Sequence, residues 1–363
     1  MDQGSRQSEN TPLRRRAWRF GILGVSLALL AGVITLLLSP HSPATRSEKV
    51  RGVEVVATIP PVADIVRELG GERVTVYSLL PAGASPHTFE PRPSDIRRIA
   101  TAELVVTVGA GLDAWVEKLL NAAGSSGTPR LAITSTTRLL LVGTHRTPEL
   151  VAPAGNRGDA TGEADSEHTG HAHEGEGIYD PHVWLDPLRV RDDIAPAIAA
   201  SLARIDPAGR SYYQSRLKLY QTELTELDRE ISRLLSPYRG LRFIAFHSAW
   251  RYMAERYGLQ EVAAIEPFPG REPSPAWLAQ LQKLARAQSA FLIVAEAQFN
   301  PQIARMLSEA INGLVVTLDP EGGGPDVAGR STYLELMRYN AREIARAARK
   351  LQSEHSGEKQ KSK

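Results

Sequence analysis

Apolar positions along the chain fall into short continuous runs that alternate with stretches of three- and four-residue spacing. Val53 to Ile59 reads as a buried strand, and Pro60-Pro61 breaks it ahead of a helical pattern through Val62, Ile65, Val66 and Leu69 that Gly70-Gly71 closes. Val74 to Leu80 predicts a second strand and Pro93 to Thr101 a helix on Ile96 and Ile99. A strand at Leu104 to Val108 and a helix at Ala114 to Leu120 follow. Such alternation predicts an α/β fold, a mostly parallel sheet flanked by helices.

From about 143 to 178 the pattern stops. Gly, Ala, Glu, Asp and Thr dominate there, large apolar side chains are scarce, and a mobile loop is expected. After Pro187 the chain turns helical. Tyr213, Leu217, Tyr220, Leu224, Leu227, Ile231 and Leu234 recur at three- and four-residue steps, with no proline after Pro207 and no glycine after Gly209. They predict one amphipathic helix over 207–235, near 40 Å long at about 1.5 Å per residue. The length suits a strut between two bodies. Strands at 242–246, 262–265, 291–295 and 315–318, interleaved with helices at 249–257, 275–287, 302–310 and 333–350, form a second α/β lobe. The expected organisation is therefore an N-terminal segment (1–39), a linker (40–52), a first lobe (53–206), the long helix (207–235), a second lobe (236–352) and a disordered polar tail (353–363).

Composition changes this picture mainly at the N-terminus. Arg14, Arg15, Arg16 and Arg19 precede an uncharged run from Phe20 to Leu38. A membrane span needs roughly 20 apolar residues and a signal-peptide core about 7–15. The run predicts either an uncleaved anchor with its basic flank in the cytoplasm or a cleaved export signal, and both put the remainder outside. The chain has 363 residues, formal net charge +2 and no cysteine. That excludes disulfides, thiolate ligands, a cysteine nucleophile and a lipid-bearing cysteine. No basic stripe with interleaved aromatics marks a nucleic-acid surface.

The candidate chemistry lies in three histidines, each in a proline- or aromatic-rich segment. His87 stands in Pro86-His87-Thr88-Phe89-Glu90-Pro91, His182 in Asp180-Pro181-His182-Val183-Trp184-Leu185-Asp186-Pro187, and His247 in His247-Ser248-Ala249-Trp250. Neutral imidazole is the commonest protein metal ligand, and scattered histidines readily make a tetrahedral zinc site. Glu90, Asp180 and Asp186 neighbour these rings and are candidates to orient them, and Glu296, at the end of a buried strand, is another. His168, His171 and His173 form a short His-rich acidic tract inside the loop, a composition suited to weak metal capture.

With these segments placed, the chain resembles the solute-binding proteins of zinc- and manganese-type ABC transporters (metal-binding cluster A-I, solute-binding family 9), and most closely the high-affinity zinc-uptake branch. The likeness runs from about Val53 to Leu351. It includes the three histidine segments, Glu272-Pro273-Ser274-Pro275, Glu296-Ala297-Gln298-Phe299, Leu318-Asp319-Pro320 and Tyr333 to Asn340. The resemblance implies two α/β lobes joined by one long rigid helix, with the metal in the cleft. It implies His87 and His182 as ligands from the first lobe and His247 from the second, with Asp319, another carboxylate or water in the fourth position. It also implies an extracytoplasmic location, in the periplasm or on the outer face of the cytoplasmic membrane, and delivery to a permease with its ATPase, by a monomer. Three nitrogens and at most one carboxylate favour Zn²⁺ over Mn²⁺, which prefers oxygen ligands.

Two other classes compete. Three histidines with an open fourth position also describe catalytic zinc, but no His-Glu-x-x-His, Gly-x-Ser-x-Gly or paired-carboxylate motif accompanies them. A manganese-binding or adhesin-like role fits the same scaffold.

Overall fold

The computed structural model describes residues 52–141, 179–267, 270–322 and 328–361. The N-terminal segment, most of the linker and the His-rich tract lie outside these residues. Four strands form the first sheet: β1 (Val53–Ala57), β2 (Val74–Ser78), β3 (Leu104–Thr107) and β4 (Arg130–Ala132), in the order β2-β1-β3-β4 and parallel throughout. The second sheet repeats the plan with β5 (Arg242–His247), β6 (Gln260–Glu266), β7 (Leu292–Glu296) and β8 (Leu314–Leu318), ordered β6-β5-β7-β8. In both lobes the order reverses beside the first strand. Ligand sites in open α/β sheets form at this switch point, outside the carboxyl ends of the strands.

Among the described residues, the helices of seven residues or more are α1 (Pro60–Gly70), α2 (Pro93–Thr101), α3 (Trp115–Ala122), α4 (Ala195–Ile205), α5 (Arg210–Leu235), α6 (Arg251–Tyr257), α7 (Pro275–Gln288), α8 (Gln302–Ile311) and α9 (Tyr333–Lys361). Prolines open α1, α2 and α7, where a missing N–H costs nothing and the fixed φ suits a first helical turn. Helix α5 buries Tyr213, Tyr220, Leu224, Leu227, Ile231 and Leu235 along one stripe. Those side chains join Val55, Ala57 and Val106 of the first sheet and Phe243, Ala245 and Val294 of the second in one continuous core. Smaller clusters fill the outer faces, around Ile99 and Val105 in the first lobe and around Ile265 and Ile293 in the second.

Two expectations change. The edge strand β4 is absent from the hydrophobic pattern, because three residues beginning with an exposed arginine carry no alternation to read. Helix α9 runs to Lys361, past Ser353, where a disordered tail was expected. Gln352, Ser353 and Glu354 are compatible with helix, and Lys350 and Glu354 sit one turn apart at 3.8 Å.

A candidate metal centre of three histidines

His247 is the last residue of β5 and Glu296 the last of β7, so the switch point of the second sheet presents an imidazole and a carboxylate side by side. His247 Nδ1 lies 2.7 Å from Glu296 Oε1. His182 precedes a short turn at Val183–Leu185, and its Nδ1 lies 2.8 Å from Asp180 Oδ1, which also accepts the His182 backbone N–H at 3.0 Å. His87 follows β2 in a proline-bounded turn anchored by Trp115, whose Nε1 donates to Pro86 O at 3.3 Å and whose ring meets Phe89 at 4.8 Å.

One ligand atom from each of His87, His182 and His247 falls within 4.8 Å of the others. His182 and His247 are almost wholly buried, at 2% and 3% exposure. A carboxylate only accepts, so each Nδ1 beside one carries a proton, and in the neutral imidazole that binds a metal Nε2 keeps its lone pair. The two Nε2 atoms stand 3.3 Å apart, and two lone pairs at that range repel unless a cation lies between them. Two nitrogens bound at about 2.0–2.1 Å in a tetrahedral site are about 3.3 Å apart. His87 Nε2 is buried with no hydrogen-bond partner. The residues fit a tetrahedral cation.

Electrostatics separate the rings. Burial, reinforced by His182 and His247, lowers His87 to about 2. Burial opposes charge on His247 too, but the Glu296 carboxylate outweighs it by charge and by hydrogen bond, so that imidazole is held above its ordinary range. Glu321, 2% exposed, is pushed well above the carboxylate range by burial and then by Asp319 and Glu296. The sequence reading missed it; a lone acid after Leu-Asp-Pro looks like a turn residue.

The other expected residues divide. Asp180 and Glu296 each meet an imidazole Nδ1, at 2.8 and 2.7 Å. Asp186 does not touch a ring: its Oδ1 caps Leu188 N at 2.9 Å and its two oxygens take Arg256 at 2.9 and 3.0 Å, because the Pro187 turn aims it away from the cleft. Glu90 is exposed and lines, with Thr88, Glu266, Gln298 and Phe299, a cavity of about 570 Å³. Asp319 is already engaged. Its Oδ1 accepts from Gln298 Nε2 (2.7 Å), Glu321 N (3.1 Å) and Gly322 N (2.9 Å), and its Oδ2 from Arg330 (2.6 Å). Its Oδ2, with one bond, keeps a lone pair, but among the described residues the ligand atoms that converge are those of the three histidines, without Asp319. His168, His171 and His173 lie outside the described residues.

The high-affinity zinc uptake protein ZnuA of Yersinia pestis is 29% identical over 310 residues, 85% of this chain and 93% of that protein. ZnuA of Paracoccus denitrificans is 30% identical over 348 residues, 88% and 97% of the two chains. A crystal structure of ZnuA superposes with TM-score 0.67 at 27% identity, covering 82% of this chain and 99% of its own. A ZnuA deletion mutant with zinc bound gives 0.64 at 27% identity, covering 82% and 98%. The sequence model of the family described as zinc-uptake complex component A, periplasmic, matches residues 55–347, and the chain belongs to that family.

Proposed function

We propose that this protein captures Zn²⁺ outside the cytoplasm and delivers it to the permease of an ABC importer. One observation carries the reading: three imidazoles converge within 4.8 Å, two of them with Nδ1 fixed by a carboxylate so that Nε2 faces the shared space. His87, His182 and His247 are the ligands, and Asp319, another carboxylate or water fills the fourth position. The protein is a carrier, not an enzyme; its family consists of transporter solute-binding proteins. The relatives named for zinc uptake support zinc as the cargo. Residues 1–39 tether or export the chain, which acts as a monomer, and His168, His171 and His173 collect further zinc weakly. Calorimetric titration with zinc tests the main claim: one tight site per chain is expected, and none, or a tight site with metal-stimulated hydrolysis, would overturn it. Deleting residues 155–176 should leave the tight site and remove weaker equivalents.

A further inference from the structure

By chain order His182 belongs to the first lobe, yet its surroundings are bonded to the second. Tyr252, on α6, donates its hydroxyl to Asp180 O at 2.8 Å, and Asp180 in turn holds both the ring and the backbone N–H of His182. Arg256, one turn further on α6, grips Asp186 with two bonds of 2.9 and 3.0 Å. Between them Trp184, whose ring lies 5.2 Å from that of His182, donates Nε1 to Pro320 O at 2.8 Å and accepts the Tyr333 hydroxyl on its carbonyl at 2.7 Å. The first lobe does hold this segment, through Asp180 N and Leu140 O at 2.8 Å, but Leu140 N itself donates to the Tyr252 hydroxyl at 2.9 Å. The His87 turn differs: its anchor, Trp115, is on α3 of the first lobe.

We propose that Tyr252 and Arg256 are positioning residues for His182. The metal site is then divided into a preset His182–His247 pair seated on the second lobe and a lone His87 brought by the first. The proposal rests on the zinc-capture reading. The Nε2 separation of 3.3 Å already matches one edge of a zinc tetrahedron, so the pair needs no rearrangement to take the metal. Metal–nitrogen bonds tolerate errors of about 0.2 Å. A segment as short as 180–186 holds that tolerance only while both its ends are fixed. Tyr252→Phe deletes one oxygen, Arg256→Met one end of an ion pair, and neither touches a ligand.

Chelator-competition titration and stopped-flow zinc release on the full chain test this. Tyr252→Phe and Arg256→Met should each weaken zinc binding by several-fold up to about tenfold, the low end of the cost of losing a group bonded directly to a ligand because each acts one residue further out, chiefly through faster release. A double-mutant cycle locates the effect. Tyr252→Phe should change nothing in a His182→Ala background and keep its full effect in a His87→Ala background. Arg73→Met breaks a comparable bidentate pair with Asp206 and should lower the melting temperature without changing zinc affinity. Wild-type affinity in folded Tyr252→Phe, or an undiminished effect of that substitution without His182, overturns the inference and leaves zinc capture standing. Absence of a tight zinc site in the wild type overturns both. If Arg256→Met does not fold, the Tyr252 cycle decides alone.

Discussion

Glu296 and His247 end neighbouring parallel strands, and the 2.7 Å contact between Oε1 and Nδ1 turns the end of a sheet into one corner of a binding site. The contact fixes the tautomer, and the strands fix the direction in which Nε2 points. Substituting Glu296 by Gln keeps an acceptor but loses its charge, and should weaken zinc binding by about tenfold; Glu296→Ala should cost up to about 100-fold. Equal affinities for wild type and Glu296→Ala in calorimetry would separate this carboxylate from the metal.

Removing any one imidazole should do more. His87→Ala, His182→Ala and His247→Ala are each expected to lose at least about 100-fold in affinity, about 2.7 kcal/mol. Because His87 is the less buried of the three, its variant should also keep the most stability in thermal melts without metal. A variant that retains wild-type affinity would remove its residue from the ligand set.

Acid should release the metal. His247 is held above its ordinary 6.5 by Glu296, so zinc must displace a proton from it below that raised value. Affinity is full above the range and falls by up to tenfold per pH unit beneath it. His87, lowered to about 2, adds no proton competition near neutrality. In the metal-free protein the two rings act with opposite sign. The unfolded chain protonates His87 below about 6.5 while the native chain does not, so that contribution destabilises as pH falls. The raised value of His247 stabilises below about 6.5 and is lost as pH rises through the folded value. Calorimetry in buffers of different ionisation enthalpy reads the proton released on binding, and a flat affinity between about pH 7.5 and 5.5 would contradict this account.

Selectivity follows from nitrogen. Zinc lies well above manganese in affinity for imidazole ligands, and His247→Glu should narrow the gap by putting a hard oxygen beside Glu296. Competition titration in which the unmodified protein prefers manganese would overturn this ordering.

Most of the architecture was legible because its cues are local. Proline-opened helices, buried strand runs and the spacing from Tyr213 to Ile231 are written in consecutive residues, and the structure places elements there to within a residue or two. The three histidines were legible because each sits in a segment too particular for a loop. What was hidden depends on distant pairing. Asp186 looked like a partner for His182, but only the fold reveals Arg256 across from it. Nothing in the spacing of the 249–257 helix singles out Tyr252, and only the fold brings its hydroxyl to the His182 turn. Asp319 caps the local Glu321 and Gly322 N–H groups, but its other partners, Gln298 and Arg330, come from stretches that no spacing connects to it.

Loading should move the lobes little. Helix α5 has 26 residues with neither proline nor glycine, and its buried stripe is part of the core shared by both sheets. Kinks normally need such a residue or an inserted group. Small-angle scattering should give nearly the same radius of gyration with and without zinc; a change of several ångströms (about 3 Å or more) would mean that the strut bends.

The two carboxylates behind the histidines also settle a balance of charge. Three neutral imidazoles leave the dipositive cargo uncompensated, and Asp180 and Glu296 supply two negative charges directly behind the rings. Charge held behind the rings lies in a medium where isolated charge is expensive, and a dication between the imidazoles offsets it. The same two carboxylates that set the direction of the lone pairs therefore also set the sign of the charge the site accepts.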